Sequence, residues 1–180
     1  MSSAWKGIVG TSFTADEFAE YCDGVTLTDW APDFIVLHNT LDPRLDAWHS
    51  TSGARRMRGL TEYYRDEQGW SGGPHLFIAD DRIWAFTPLT VHGVHSPSWN
   101  GVSWGVEIVG DFDHEAFGDA QKALAISALT SLHRLAGWTE PQLHLHKEDP
   151  NTSHTFCPGR NIDKAEIECG VQTLLDEDVP

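Results

Sequence analysis

The sequence predicts an α/β fold, in which helices flank a mixed central β-sheet within a single domain. Three observations predict it. The 180 residues suit one domain with one sizeable core. Short apolar runs of β type alternate irregularly with helical patterns, and two of these runs flank a tight turn as a hairpin. The sequence contains no G-x-G-x-x-G or P-loop motif, so a doubly wound nucleotide-binding fold is not expected.

Each element is predicted from its apolar pattern and its bounding residues. Thr14, followed by Glu17, predicts a capped helix over 14–21. Apolar spacing predicts the other elements in order: a buried strand over 34–38, a helix over 55–66, a hairpin of 74–79 and 82–86, a strand over 102–109, a helix over 120–136, a strand over 142–145 and a helix from 163 to 175. Alternation in the strand over 102–109 places Trp104 on one face and Glu107 on the other.

The composition excludes several classes of partner. Twelve Lys and Arg stand against 27 Asp and Glu, which gives a formal charge of −15 and a pI near 4.8. This charge argues against binding to nucleic acid or to anionic lipid, which both need a basic surface. No apolar run fits a membrane span or a signal peptide, so we expect synthesis in the cytoplasm. Three cysteines cannot all pair, which suits a reducing compartment.

Potential metal ligands cluster near the C-terminal end, where His144, His146, His154 and Cys157 follow one another closely. Histidine nitrogen and cysteine thiolate are the ligands that Zn²⁺ prefers, and a catalytic zinc keeps three protein ligands and one open position. His144 and His146 are two residues apart on a predicted strand and are expected to share a face, so spacing leaves both as candidates. The alternative is a buried thiol among surface histidines. His38, at the exit of a buried strand, is a further candidate, although a single histidine there is more often structural.

Glu107 is a carboxylate between apolar residues on a predicted central strand. An unpaired buried carboxylate is costly, so a glutamate there is either paired or functional. Beside a zinc-activated water it would serve as a general base. The alternative is an edge strand with Glu107 on its solvated face.

Three segments occur in an order known from one zinc-dependent family: FIVLHNT over 34–40, GVEI over 105–108, and HKED followed by TFCPG within 146–159. With these motifs the chain resembles the N-acetylmuramoyl-L-alanine amidases, a group that includes phage endolysins and is related to peptidoglycan-recognition proteins. The resemblance covers 34–163, and the segments 69–77 and 93–100 look most like phage or prophage members. It implies one catalytic domain over 1–180 without a separate cell-wall-binding domain.

The resemblance implies a Zn²⁺ cofactor and its ligands. His38 matches the first zinc ligand, and Cys157, just before Pro-Gly, matches the third. His146 matches the second, because Lys147 follows it where the family has His-Arg or His-Lys.

The resemblance also implies catalytic roles. Glu107 matches the strand glutamate proposed as general base, which would move a proton from water to the departing amine. Thr155 stands where many members carry a lysine that stabilises the oxyanion, so His154 or Thr155 would take that role. Pro74 stands where several members have a catalytic tyrosine, which leaves the base role to Glu107 alone.

Other histidines and loop residues receive weaker assignments. The residues expected to contact substrate are His75, His95, Trp99 and Asn100, with a structural role as the favoured alternative for His75. The residues expected at the surface or at helix ends are His49, His114 and His133.

The activity implied is hydrolysis of the amide bond between N-acetylmuramic acid and L-alanine in peptidoglycan. The expected setting is a monomeric phage or prophage endolysin that reaches the wall after release through a holin. Two alternatives remain: a cytosolic amidase that trims recycled muropeptides, and a module that binds peptidoglycan without cutting it. Non-cutting relatives typically lose the ligand cysteine, so Cys157 favours cleavage.

Overall fold

A mixed six-stranded sheet forms the centre of the structure, a computed structural model that describes residues 4–177. The strands are β1 (Ser12–Phe13), β2 (Phe34–Asn39), β3 (Leu76–Ile78), β4 (Ile83–Ala85), β5 (Ser103–Ile108) and β6 (Leu143–Leu145). Their order across the sheet is β1-β4-β3-β5-β2-β6. β3, β5, β2 and β6 run parallel, whereas β3 with β4 and β4 with β1 form antiparallel pairs. The predicted mixed sheet is confirmed.

Five α-helices within the described residues cover both faces of this sheet: α1 (Ala15–Asp23), α2 (Leu45–His49), α3 (Gly53–Glu62), α4 (Asp119–Ala136) and α5 (Lys164–Asp176). α1 and α5 pack against α4, and the larger core, which includes Ile35 and Val106, lies between this group and the sheet. A smaller core on the opposite face joins Trp48 of α2 and Met57 of α3 to Phe77 of β3. None of the helices in residues 4–177 has the length and apolarity to cross a membrane.

Strand alternation decides which residues face the α3 side of the sheet. In β5, Val106 and Ile108 join the larger core, so Glu107 points to the opposite face, as predicted. In β2, Leu37 joins the larger core, so His38 points the same way as Glu107. These two residues lie opposite each other in the parallel register. Two chemically active side chains therefore meet at the carboxyl ends of neighbouring parallel strands, where α/β sheets commonly bind ligands.

Three local sequence signals coincide with the ends of helices in the structure. The Thr14 hydroxyl accepts from the Glu17 N–H at 3.3 Å, and the Glu17 carboxylate accepts from the Thr14 N–H at 2.7 Å, which completes a capping box. Gly137 ends α4 in the left-handed region with φ 73°. Asp163 caps α5 by accepting from the Ala165 N–H at 2.9 Å.

Short or irregular elements differ from the predictions. The helix predicted over 55–66 begins at Gly53, and its α-helical part ends at Glu62, where a π-helical turn, Tyr63–Glu67, follows. α2 and β1 were not predicted, because five and two residues are too few to show a period. β6 stops at Leu145, where a 3-10 turn, His146–Glu148, begins.

His133 lies at a helix end, which is one of the two positions expected for it. It stands in the last turn of α4, and its side chain is fully buried rather than at the surface. Its Nδ1 lies 2.7 Å from the Leu129 carbonyl, and its Nε2 accepts from the Gln142 N–H at 2.9 Å. The ring thus fastens the end of α4 to the start of β6. The side chains of His49 and His114 are exposed, as expected.

Candidate active site

Three potential metal ligands converge from separate parts of the chain. His38 lies near the end of β2, His146 opens the turn after β6, and Cys157 lies in the loop beyond that turn. One donor atom from each residue lies within 4.8 Å of the other two. The pairing of β6 with β2, with Leu145 opposite Leu37, brings the rings of His146 and His38 to a centroid distance of 4.2 Å.

The geometry of this group fits a tetrahedral metal ion. Zinc binds histidine nitrogen at about 2.0–2.1 Å and cysteine sulfur at about 2.3 Å, so its ligand atoms lie roughly 3.3–3.8 Å apart. Donors within 4.8 Å of one another need only a small closure to reach that separation. His38 and His146 are buried and Cys157 is half-buried. Three protein ligands with an open fourth position are the pattern of a catalytic site rather than a structural one.

Burial sets the protonation states of these ligands. Burial and the neighbouring histidines lower the pKa of His38 well below its usual value, and burial lowers the pKa of His146 to about 4. Both rings are therefore neutral at pH 7, which is the form that binds a metal. Burial, with a further contribution from Glu107, raises the pKa of Cys157 to about 12. Binding of a metal must therefore displace the thiol proton.

Glu107 presents a buried carboxylate oxygen without a protein partner. Among the described residues, no donor lies within hydrogen-bond distance of its Oε2. Burial raises the pKa of this carboxyl to about 8. An unsatisfied buried carboxylate is costly, so the arrangement suits a group from solvent or substrate that enters the cleft. A metal ion bound nearby would favour the charged form of this carboxylate. The unpartnered oxygen therefore also supports the fit of a metal ion to the site.

A cleft of about 910 Å³ opens onto this group. Seven of the residues predicted for the site line it: His38, His95, Glu107, His146, His154, Thr155 and Cys157. His154 and Thr155 are exposed on its rim, and the His154 ring stacks on His146 at a centroid distance of 5.2 Å. The cleft therefore places an exposed donor beside the three potential metal ligands.

His95 reaches the cleft because Gly105 leaves room for it. A Cβ at position 105 would lie 2.3 Å from Cγ of His95, so any larger residue in β5 would displace the ring. Nδ1 of His95 lies 3.1 Å from Nε2 of His38, and its other nitrogen lies 3.3 Å from the Ser103 carbonyl. Burial lowers the pKa of His95 to about 4. The ring is therefore a neutral hydrogen-bonding neighbour of His38 on the cleft wall.

His75 does not lie on the cleft surface. Its side chain is fully buried, its Nδ1 accepts from the Gly105 N–H at 3.0 Å, and its Nε2 lies 2.9 Å from the Val91 carbonyl. The Trp30 ring stacks on it at 5.9 Å. Burial therefore excludes the substrate contact expected of His75, and its hydrogen bonds fit the structural alternative.

Trp99 and Asn100 lie outside the cleft lining. The Asn100 side-chain oxygen accepts from the N–H groups of His95 and Ser96 at 2.6 and 2.8 Å. Trp99 packs against His144 at a centroid distance of 5.2 Å. Asn100 thus orders the loop that carries His95, and Trp99 contributes packing; the structure does not bring either residue together with the metal-ligating group.

The two candidate histidines of β6 separate. Because β6 ends at Leu145, the expectation that His144 and His146 share a face is wrong. His146 is buried in the cleft, whereas the half-exposed His144 has its Nδ1 3.1 Å from Glu148. Of these two histidines, His146 is the one grouped with His38 and Cys157.

Two tyrosines that apolar spacing assigned to a helix also line the cleft. Tyr63 and Tyr64 lie at the start of the π-helical turn, which apolar spacing does not reveal. The Tyr64 ring stacks on Trp70 at 5.4 Å and packs against Phe86 at 5.8 Å. Burial, together with the charge of Glu107, raises the pKa of Tyr64 well above its usual value. Its phenol is therefore protonated at pH 7.

Asp149 fastens the ligand loop to the neighbouring loop. Its buried carboxylate accepts from the hydroxyl groups of Ser96 and Ser98, and from the N–H groups of Ser98 and Asn151 at 2.9 and 2.8 Å. Burial alone would raise the pKa of Asp149, but these hydrogen bonds lower it to about 2. An aspartate before Pro150 looks like an ordinary turn residue, so no local pattern in the sequence indicates this role.

Comparisons with known proteins agree with this geometry. A sequence profile of the family described as N-acetylmuramoyl-L-alanine amidase matches residues 28–160. The endolysin N-acetylmuramoyl-L-alanine amidase LysCS from Clostridium intestinale is 26% identical with a TM-score of 0.60, over 78% of this chain and 83% of that one. Drosophila PGRP-LB has a TM-score of 0.65 at 21% identity, over 92% of this chain and 86% of that one, which shows a shared fold.

A curated relative agrees as well. Peptidoglycan-recognition protein 1 from Holotrichia diomphalia is 28% identical over 101 residues, which are 53% of this chain. The match spans half of the length of that protein. The family profile covers most of the chain, including Glu107 and the three residues that could hold a metal ion. The chain belongs to the N-acetylmuramoyl-L-alanine amidase family.

Proposed function

We propose that the protein is a zinc-dependent amidase that hydrolyses the bond between N-acetylmuramic acid and L-alanine in peptidoglycan. One observation carries the proposal: His38, His146 and Cys157 converge in the same cleft as the unpartnered carboxylate of Glu107. A metal group with an open position beside a carboxyl proton acceptor is the arrangement that hydrolysis of an amide needs.

His38, His146 and Cys157 would hold the zinc ion. When bound there, zinc supplies Lewis-acid polarisation of the scissile carbonyl and lowers the pKa of water. The neutral rings of His38 and His146 are ready to coordinate. The thiolate of Cys157 leaves the centre with a net positive charge. Asp149 holds the loop that carries two of these ligands.

Glu107 would act as general base and then as general acid. Its free oxygen takes a proton from the attacking water and delivers it to the departing amine of L-alanine. The pKa of this carboxyl, about 8 with burial as its cause, lies close to neutrality. A group with such a pKa both accepts and donates a proton with little penalty at pH 7.

The developing oxyanion needs a donor, which His154 or Thr155 on the cleft rim would provide. Removal of one such donor costs about 3–4 kcal/mol of transition-state stabilisation in other hydrolases. Tyr64, which keeps its proton, offers another donor on the same cleft wall. The substrate is peptidoglycan or a muropeptide, and the proposed setting is an endolysin made in the cytoplasm, supported by the likeness to an amidase named as an endolysin.

A second candidate function is recognition of peptidoglycan without cleavage. It is favoured by the relatives that are named peptidoglycan-recognition proteins. Retention of Cys157 and of a Glu107 whose buried Oε2 has no protein partner favours cleavage, because recognition alone would not require a proton acceptor beside the ligand group.

The test is a paired measurement on the purified protein, namely metal content by mass spectrometry and release of peptide stems from purified sacculi. We expect one zinc ion per chain, loss of release after chelation and recovery on addition of zinc. Glu107→Gln should keep the zinc and lose at least about 100-fold of the rate, the size expected for general-base catalysis. Zinc without stem release from sacculi or soluble muropeptides would favour recognition, and absence of zinc would refute the metal site.

A further inference from the structure

A second groove adjoins the cleft along α3. It has a volume of about 400 Å³ and is lined by three arginines, Arg55, Arg56 and Arg58. Pro43 and Leu60 line both this groove and the cleft that holds Glu107. The two cavities are therefore neighbours across a single wall.

Two of these arginines have no partner within residues 4–177. Arg55 and Arg58 are exposed and form neither a hydrogen bond nor an ion pair through their guanidinium groups. Arg56 differs, because its guanidinium donates to the Trp48 carbonyl and the Ser50 hydroxyl, both at 3.0 Å. Every other arginine has a partner: Arg44, Arg65, Arg82, Arg134 and Arg160.

The absence of partners is informative in a chain of this charge. Acidic residues outnumber basic ones by 27 to 12, so a surface arginine readily finds a carboxylate. Arg55 and Arg58 are three residues apart and therefore lie side by side on α3. Glu62 is the acidic residue in the groove lining and makes no ion pair with either. The groove thus keeps a local positive charge that the protein itself does not neutralise.

We infer that this groove binds a free carboxylate of the substrate's peptide stem. The inference rests on the proposed function and adds a subsite to it. Guanidinium groups are suited to carboxylates, which they bind through paired hydrogen bonds. In the scissile unit the lactyl carboxyl of the sugar is consumed in the amide bond, so the glycan side is uncharged there. The stem carries the free carboxylates, so Arg55 and Arg58 mark the peptide side of the cleft.

The adjacency of the two cavities allows this placement. The groove and the cleft share Pro43 and Leu60, so a stem that leaves the scissile bond on this side passes from one cavity into the other. The carboxylate that Arg55 and Arg58 receive therefore belongs to a stem residue beyond the scissile bond.

The test compares two double variants on two soluble muropeptides. Arg55→Gln with Arg58→Gln removes the charges of the groove. Arg65→Gln with Arg82→Gln removes the same charge from exposed arginines that line neither cavity. One substrate has free stem carboxylates, and the other has them amidated.

We expect the groove variant to raise KM about fivefold to tenfold for the free-carboxylate substrate, with kcat unchanged, and to leave KM for the amidated substrate unaltered. This range lies just below what a hydrogen bond to a charged group contributes, because both arginines are exposed to solvent. The control variant should behave as the wild type on both substrates.

Four outcomes would overturn the inference. An unchanged KM of the groove variant for the free-carboxylate substrate would show that the arginines do not contact the stem. An equal rise in KM for the amidated substrate would show that they do not recognise its free carboxylates. An equal rise in the control variant would show an effect of overall charge. If the groove variant loses activity only on sacculi that carry phosphodiester polymers, the groove binds a wall polymer, which also overturns the inference.

Failure of the proposed function is distinguishable from failure of the subsite. If the wild type cleaves neither sacculi nor either muropeptide, the amidase proposal fails, and the groove is then tested by equilibrium binding of the uncleaved free-carboxylate muropeptide. A Kd raised by the groove variant alone supports the subsite, whereas equal Kd values for wild type and variant refute it.

Discussion

Glu107 shows at the scale of one residue how function competes with stability. Its register partner in β2 is His38, and the neighbours on the other face of β5 belong to the core. Burial raises the pKa of the carboxyl to about 8 because nothing in the described protein compensates its charge. A glutamine would fill the same space without that charge. The position therefore suits chemistry better than it suits folding.

We expect Glu107→Gln to stabilise the metal-free protein in a pH-dependent manner. The pKa of this carboxyl is about 4.5 when unfolded and about 8 when folded, so the folded state binds more protons between these values. The contribution of this carboxyl to the stability of the wild type is therefore most favourable below about pH 4.5 and falls as the pH rises from there to about 8. The variant lacks this loss, so its advantage grows to at most about 5 kcal/mol at pH 8. Urea denaturation in chelator at pH 4.5 and 8 measures it.

The matched control is Glu140→Gln, which changes an exposed carboxylate in the loop before β6. It should leave the difference from wild type near zero at both pH values. A Glu107→Gln advantage that is the same at pH 4.5 and 8 would contradict the burial of an uncompensated charge.

Several site residues were predictable from sequence because each had a local signal. His38 ends an apolar run, and Glu107 interrupts one, so alternation fixed the face of both. The full burial of His75 was not predictable in the same way, because strand alternation does not reveal which rings are covered by neighbours such as Trp30. The position of Tyr64 on the cleft wall was not predicted, because a π-helical turn changes the helical period without a signature residue.

At the scale of elements, the loop that carries His146 and Cys157 depends on Asp149. This residue, rather than regular secondary structure, ties the loop to the segment of Ser96 and Ser98. Long, strongly periodic elements such as α4 were predicted almost to their ends, whereas this tie joins residues about fifty positions apart. Pairings between distant loops leave no local pattern, so sequence alone could not supply them.

We expect Asp149→Asn to destabilise the protein by about 1–3 kcal/mol at pH 7, the range for hydrogen bonds to a buried charged group. Zinc affinity should fall as well, because the loop carries two ligands. The pKa of Asp149 is lowered to about 2, so its stabilisation is present above about pH 4 and is lost as the pH falls through 2. Urea denaturation and competition with a chelating dye measure the two effects.

Ser98→Ala should show a smaller loss, since it removes one of the donors, and Asp29→Asn, at an exposed position, should show none. Wild-type stability and zinc affinity in Asp149→Asn would mean that the tie between the loops is dispensable.

At the scale of the whole molecule, the three proposed zinc ligands come from parts of the chain that are far apart in sequence. His38 lies on the interior strand β2, while His146 and Cys157 lie beyond α4, after the edge strand β6 and in the loop that follows it. A ligand that binds the folded state alone stabilises the entire fold by mass action. The proposed zinc ion should therefore act as a link between the central sheet and the C-terminal third of the chain.

We expect removal of zinc to lower the Tm by about 8–16 °C. Zinc at a thousandfold excess over its Kd contributes about 4 kcal/mol, and each kcal/mol shifts the Tm of a domain of this size by about 2–4 °C. Calorimetry with and without chelator measures the shift. Cys157→Ser, which removes the thiolate ligand, should melt at one temperature under both conditions. If the Tm of the wild type is the same with and without zinc, His38, His146 and Cys157 do not bind the ion together, whatever the activity of the protein.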